Sequence, residues 1–254
     1  MKLKLISVAG LLLLTCCGTM QNNGLYTTPD AKKVLSIINK VNQYWQHTHP
    51  TPGSAFWDEA AYHTGNLAAY EVTKNPAYKT YSENWAKKNK WMGATSQNKE
   101  EWKYDYGETE KHVLFGDWQA CFQTYIDLYN MDVLKDSIKI ARAREVMEYQ
   151  MSTAQMDYWW WADGLYMAMP VMTKLYNVTG DPLYLEKMAQ YFNYANNTMY
   201  DSQEKIYYRD AKYVYPRHKS INGKKDFWAR GNGWAFASLA KTLAELPVTD
   251  KHIN

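Results

Sequence analysis

Acid–base chemistry near neutral pH needs a carboxyl whose proton affinity has been raised, and two aspartates sit where that could happen. Asp163 lies in Trp159-Trp160-Trp161-Ala162-Asp163-Gly164-Leu165-Tyr166. Indoles beside a carboxyl strip it of water, which favours the neutral form a general acid needs. Asp117 lies in Phe115-Gly116-Asp117-Trp118-Gln119, again beside a tryptophan. Two carboxyls can divide acid and base roles, or one can shift the other's proton affinity. Each also has a plainer use, as N-cap of the helix that follows. A third stretch, Asp226-Phe227-Trp228-Ala229-Arg230-Gly231-Asn232-Gly233-Trp234, brackets an arginine and two glycines with tryptophans. Arg230 offers a planar charge suited to a carboxylate, and Trp228 and Trp234 offer flat faces. The glycines admit close backbone approach just before an apolar helical run at 235–246. A small anionic ring such as a uronic acid fits this set. A Gly-rich helix entry with two core tryptophans is the plainer reading. His63, inside a helical stretch, reads as a core or surface residue.

These three motifs are far apart in the chain, so helices must gather them. A first helix starts near Pro29-Asp30, with Val34, Ile37, Ile38, Val41 and Trp45 on one face. Then a layout repeats. One helix at 57–72 ends in Tyr70-Glu71-Val72-Thr73-Lys74-Asn75-Pro76-Ala77-Tyr78, and a second runs from Pro76 to about Trp91. Another at 161–178 ends in Tyr176-Asn177-Val178-Thr179-Gly180-Asp181-Pro182-Leu183-Tyr184, and a second follows to about Tyr194. Tyr70 and Tyr176, like Tyr78 and Tyr184, stand 106 residues apart. Asn or Asp before a proline is sound helix-entry chemistry. Between them lies a third copy, with helices at 117–129 and 133–151. Helix pairs repeating at this spacing predict an α/α toroid or solenoid. The first helix of each pair is the more apolar and should be inner; the second is richer in charge and should be outer. Loops entering the inner helices converge on one end, and Asp117, Asp163 and Arg230 all stand at such entries. Two irregular stretches, 93–115 and 201–225, are long enough to carry function. The second contains a short extended piece at 205–211.

The 254 residues suffice for one large domain, and the 11 Trp and 22 Tyr against 6 Phe suit a wet cleft that binds rings. Lys2 and Lys4 followed by an apolar run at 5–14 form an export signal too short to span a bilayer. The run ends in Leu13-Leu14-Thr15-Cys16-Cys17-Gly18, which is similar to a bacterial lipoprotein signal. Cys17, or else Cys16, is then the lipidated residue, residues 1–17 are the signal peptide and 18–29 a polar tether. That reading places the chain outside the cytoplasm, as a periplasmic or outer-membrane lipoprotein of a Gram-negative bacterium held at the membrane by its lipid alone. Past this segment only Cys121 remains, so no disulfide framework and no Cys/His zinc spacing exists. The formal charge of +3 includes Lys2 and Lys4, and no basic tract suggests nucleic acid.

The blocks Trp161-Ala162-Asp163-Gly164-Leu165-Tyr166-Met167, Tyr207-Tyr208-Arg209-Asp210-Ala211 and Asn222 through Trp234, in this order, together resemble glycoside hydrolase family 105. Those unsaturated rhamnogalacturonyl hydrolases are related to the unsaturated glucuronyl hydrolases of family 88. The resemblance runs from about residue 30 to the end. It implies an all-α (α/α)6 toroid of helical hairpins, of which about eight of twelve helices fit in residues 30–254. The barrel is then incomplete, and its terminal helices should expose apolar faces. The resemblance also implies a reaction. A 4,5-unsaturated uronic acid at the non-reducing end of a lyase-generated oligosaccharide is hydrated, and the hemiketal opens to release the next sugar. Asp163 is then the acid that protonates C4 and activates water for C5, and Asp117 the supporting carboxylate. Arg230 and Trp234 hold the unsaturated ring, while Trp228, Trp161 and Tyr62 line the pocket. Arg209 replaces the histidine of some members at the next subsite, which leaves the glycan open among pectin, ulvan, glycosaminoglycan and arabinogalactan fragments. No metal or organic cofactor is implied. Two further readings use the same residues: an inverting glycosidase with Asp117 and Asp163 across a water, and a lipid-anchored sugar-binding protein without catalysis.

Overall fold

The computed structural model describes residues 29–246. The expected signal peptide with Cys16 and Cys17, the tether through residue 28, and the chain from 247 onward lie outside them.

Helix starts follow the predicted cap chemistry. The Asp30 carboxylate accepts from the Lys32 amide at 3.1 Å and opens α1 (Ala31–Thr48). After α2 (Trp57–Thr73), Lys74 turns the chain in the left-handed region, and Asn75 caps α3 (Pro76–Lys88), with Pro76 in its first turn. Next come α4 (Cys121–Met131), α5 (Ile138–Ser152), α6 (Gly164–Thr179) and α7 (Leu183–Met199). Gly180, at φ 73°, stops α6 where a Cβ would be strained. A hairpin of β1 (Tyr200–Asp201) and β2 (Ile206–Tyr207) precedes α8 (Ala229–Glu245).

Helices α2, α4, α6 and α8 pack side by side, and α3, α5 and α7 lie behind them. This is the expected alternation of inner and outer helices. Its centre is α6, whose residues from Gly164 to Leu175 are all buried. Helix α1 runs antiparallel to α2: Asn39 meets Tyr78, in the first turn of α3 just past the end of α2, and Trp45 stacks on Tyr62 near the start of α2. Among the described residues, the outermost helices do carry exposed apolar side chains, Ile37 and Val41 on α1 and Phe236 and Leu243 on α8.

Four expected helix starts are corrected. The helix expected from 161 begins at Gly164, because Trp161 is bridged to Asp210 instead. The helix expected from residue 117 begins at Cys121, because Gly116–Trp118 forms a separate 3-10 turn. The helix expected from 133 begins at Ile138, after a turn pinned by Asp132 and Asp136. The helix expected from 235 begins at Ala229, so both glycines of the motif lie inside α8. Asn232 explains this early start. Its amide accepts from the Tyr207 N–H at 2.7 Å and donates to the Tyr207 carbonyl at 2.9 Å, docking the first turn of α8 onto β2.

Far from these entries, Lys174 of α6 pairs with Asp127 of α4 at 2.5 Å and Glu245 of α8 at 2.6 Å. Burial disfavours the ammonium, but the two carboxylates outweigh it and the Lys174 pKa is raised. The Glu245 carboxyl is raised too, since burial exceeds the pull of Lys174.

Candidate active site

The starts of the four inner helices gather at one end, and they bring Asp117, Asp163, Arg230 and Trp234 together. Neither aspartate is used as a cap. Asp163 stands at the N-cap position of α6, yet its side chain makes no cap hydrogen bond, and its Oδ1 is buried without a partner. Asp117 is inside the 3-10 turn, and no hydrogen bond to its carboxyl is found among the described residues. Unpartnered buried carboxyl oxygens are costly, and they concentrate where a ligand is expected.

Trp161 sets how the two carboxyls sit. A Cβ on Gly116 would meet its Cη2 at 3.0 Å, and a Cβ on Gly164 would meet its Cζ3 at 3.0 Å. The indole is therefore wedged between the residue before Asp117 and the residue after Asp163. Phe115 stacks on it at 4.9 Å, and Trp160 tilts against it at 4.7 Å. Only 6% of Trp161 is exposed. It packs beneath the two turns that carry the carboxyls, which leaves little of its ring open to a ligand.

That dryness shows in the proton affinities. Burial pushes the Asp117 carboxyl up to about 7, helped by the charge of Asp163 and then Asp58 and Glu108, with Arg230 opposing. Burial pushes Asp163 up to about 6, with Arg230 and Arg209 opposing. The two carboxyls therefore titrate as a coupled pair just below and around neutrality, with burial the main cause for both.

The raised Asp117 affinity has a stability consequence. Its folded value lies above its unfolded value of 3.8, so its contribution is fully present below about pH 4 and lost as pH rises through about 7. The Asp117→Asn variant should therefore be more stable than wild type at pH 8, by on the order of 4 kcal/mol, and melt at a higher temperature there, with little gain near pH 4. Melting curves at the two pH values check this, and equal gains at both would contradict it.

Arg230 forms no ion pair among the described residues. Its guanidinium lies 4.4 Å from the Trp228 ring and 5.8 Å from the Trp57 ring. Trp234, one turn along α8, meets Trp57 edge-on at 6.3 Å and Tyr166 at 4.5 Å, and its buried indole N–H has no partner. Gly231 faces Asp163: a Cβ there would come within 3.1 Å of Oδ1 and 3.0 Å of Trp228. Arg209 approaches the same Trp228 ring at 5.8 Å and is steadied by the Tyr213 hydroxyl at 3.1 Å. The Ala162 N–H donates to the Arg209 carbonyl at 2.8 Å, which ties this loop to the turn that carries Asp163. Arg209, Tyr213, Asp226, Phe227, Trp228 and Arg230 line an open cavity of about 400 Å³.

Tyr62 is not brought to this site. Its hydroxyl donates to Asn42 at 3.1 Å and accepts from Gln46 at 3.3 Å, and its ring faces α1. His63 is fully buried against Trp85 at 4.0 Å, and burial holds its pKa down at about 3. The sequence reading passed over Trp57 and Asp58. They open α2, the first inner helix, so the rule that selected Asp117, Asp163 and Arg230 applies to them equally.

An arc of inner and outer helices with a carboxyl pair and a guanidinium at one end defines an α/α-toroid protein of the carbohydrate-active kind. The chain belongs to glycosyl hydrolase family 88, whose family model matches residues 31–254. It is 29% identical, over 227 residues, to the unsaturated 3S-rhamnoglycuronyl hydrolase of Formosa agariphila, covering 82% of this chain and 56% of that one. Among solved structures, it is 57% identical to a family 88 glycosyl hydrolase from Bacteroides vulgatus, with a TM-score of 0.85 over 88% of this chain and 64% of that one. A structure named as a polysaccharide lyase is 64% identical, also with a TM-score of 0.85, over 87% of this chain and 62% of that one. A family 105 hydrolase of C. acetobutylicum shares the fold, at 18% identity and a TM-score of 0.60, over 88% of this chain and 61% of that one. The chain thus spans between about half and two thirds of the length of these relatives.

Proposed function

We propose that the enzyme hydrates the 4,5 double bond of an unsaturated uronic acid at the non-reducing end of an oligosaccharide, releasing the next sugar. The observation that carries this is the buried, unbonded Asp163 carboxyl facing Gly231, one residue from the free guanidinium of Arg230. Arg230 takes the uronate carboxylate, and the ring lies against Trp228 and Trp234. Neutralising Arg230 removes the strongest charge holding Asp163 down, while Asp117 feels that arginine least among its neighbours. Binding therefore moves the shared proton toward Asp163, and the substrate arms its own acid. Asp163 then gives its proton to C4, and the electron pair of the alkene forms the new C–H bond. Positive charge develops at C5 and the ring oxygen, where ionised Asp117 stabilises it. Water adds to C5 and yields its proton to the Asp163 carboxylate. The hemiketal opens, and the glycosidic oxygen leaves with a proton.

A second reading is favoured by the 64% identity to a structure named as a polysaccharide lyase. Here Arg230 neutralises the carboxylate of a saturated uronic acid, a base removes the C5 proton, and the bond from C4 to its oxygen breaks. The two reactions are opposite in one observable. Hydration consumes the conjugated alkene, so ultraviolet absorbance falls; elimination creates it, so absorbance rises. Saturated and unsaturated uronyl oligosaccharides, each followed in the ultraviolet, separate the readings by sign. No change on either substrate excludes both. In either case Arg230→Gln should raise KM by about 10- to 100-fold, the worth of a charged hydrogen bond, with a smaller change in kcat. Initial rates across substrate concentrations measure this, and an unchanged KM removes Arg230 from the carboxylate.

We also propose that the chain is exported and anchored through a lipid on Cys17, or else Cys16. The charged start, short apolar run and following cysteine support this.

A further inference from the structure

We propose that the end of the toroid opposite the active site rests on the membrane surface, with Val133 and Leu134 entering the headgroup layer. This rests on the anchored reading above.

The α4–α5 turn ties its charged groups to nearby partners, while Lys135 and Asp136 themselves stay exposed. Asp132 is held by Lys139 at 2.5 Å and by Lys79 at 3.8 Å. Lys135 donates to the Tyr129 and Asn130 carbonyls at 3.2 and 2.6 Å, closing the end of α4. Asp136 accepts from the Ile138 amide at 3.1 Å. The aliphatic side chains beside them stand fully outward: Val133 is 96% exposed and Leu134 86%. Single exposed aliphatics are ordinary; two adjacent ones at one tip, with the nearby charges already partnered, are less so. Helices α4 and α5 are flanked on both sides by other pairs, so no neighbouring element in the ring would cover this tip.

The other turns at this end repeat the pattern more weakly. Val72 is exposed at the end of α2, and Leu183 at the start of α7. The occupant follows from topology. All inner helices start at the site, so their ends mark the opposite end. Helix α1 is antiparallel to α2, so Asp30, where the tether of residues 18–29 joins the fold, is at that opposite end as well. Fully extended, this tether reaches at most about 40 Å, which keeps the same end nearest the lipid. A lipid surface pressed against it would meet Val133 and Leu134, and the cavity with Arg209 and Arg230 would face away from the membrane, open to soluble oligosaccharide.

The test uses the full chain on vesicles of phosphatidylethanolamine and phosphatidylglycerol, read by amide hydrogen exchange. Two forms are compared: the chain as acylated by a producing bacterium, and a Cys16→Ala chain linked through Cys17 to a maleimide lipid. Intact mass of the first form reports the anchor by itself; an unmodified cysteine there overturns the anchored reading. The linked form answers the orientation regardless. Exchange at 132–137 should slow about tenfold on vesicles while exchange at 219–224 stays unchanged, and Val133→Asp with Leu134→Asp should abolish the slowing without affecting turnover. Equal exchange at both ends, protection confined to 219–224, or protection that survives the double substitution overturns the proposal.

Discussion

Asp163→Asn should lower kcat by about 10²- to 10⁴-fold while the fold and the binding of a substrate carboxylate persist. The amide is nearly the same shape, so it still fits against Gly231 and the Trp161 floor. It cannot carry the proton to be delivered, and the residual rate reports what Arg230, Asp117 and ring stacking achieve alone. Steady-state rates with a melting curve on the same sample check this; an unchanged kcat would remove Asp163 from the chemistry. The pH profile adds a sign. In the free enzyme the pair takes up protons near about 6 and about 7. Below that window both carboxyls are neutral and none can stabilise positive charge; above it both are ionised and none can act as acid. Wild-type kcat/KM should therefore peak within it and fall on both sides.

Lys174→Met should cost about 3–5 kcal/mol of stability, the largest loss expected from a single change outside the site. The ammonium is buried between Asp127 and Glu245, and removing it leaves two poorly solvated carboxylates facing each other across α4, α6 and α8. The methionine replaces the stem but not the charge. Urea denaturation at pH 7 measures the loss, and a cost under about 1 kcal/mol would mean that Lys241 or solvent already compensates. Changing all three residues to apolar ones of similar volume should recover most of the loss, because the penalty comes from unpaired charge and not from missing attraction.

What the sequence showed of this protein depended on how local the deciding physics was. Asp30, Asn75 and Pro76 act within one helical turn, and they marked the starts of α1 and α3 correctly. The alternation of inner and outer helices was legible because apolar and charged residues divide between the two layers. The errors arose where a distant partner decides. Val133 and Leu134 extended the apolar pattern of α5 backwards, but Asp132 and Lys139 hold that stretch as a turn. Gly231 and Gly233 read as helix breakers, yet α8 runs through them because Asn232 docks on β2. Tyr62 faces α1 and not the pocket, since its hydroxyl is taken by Asn42 and Gln46.

The Trp161 wedge bears on how such a site can change through descent. One indole touches the residue before one aspartate and the residue after the other, and a methyl group at either glycine would stand 3.0 Å from the ring. Gly116, Trp161 and Gly164 are therefore coupled through one contact surface. A larger residue at either glycine should push the ring aside, and with it change the burial of both carboxyls. Substitutions in the loop of Arg209 should therefore change ligand preference with less disturbance of the two aspartates than any change at this wedge.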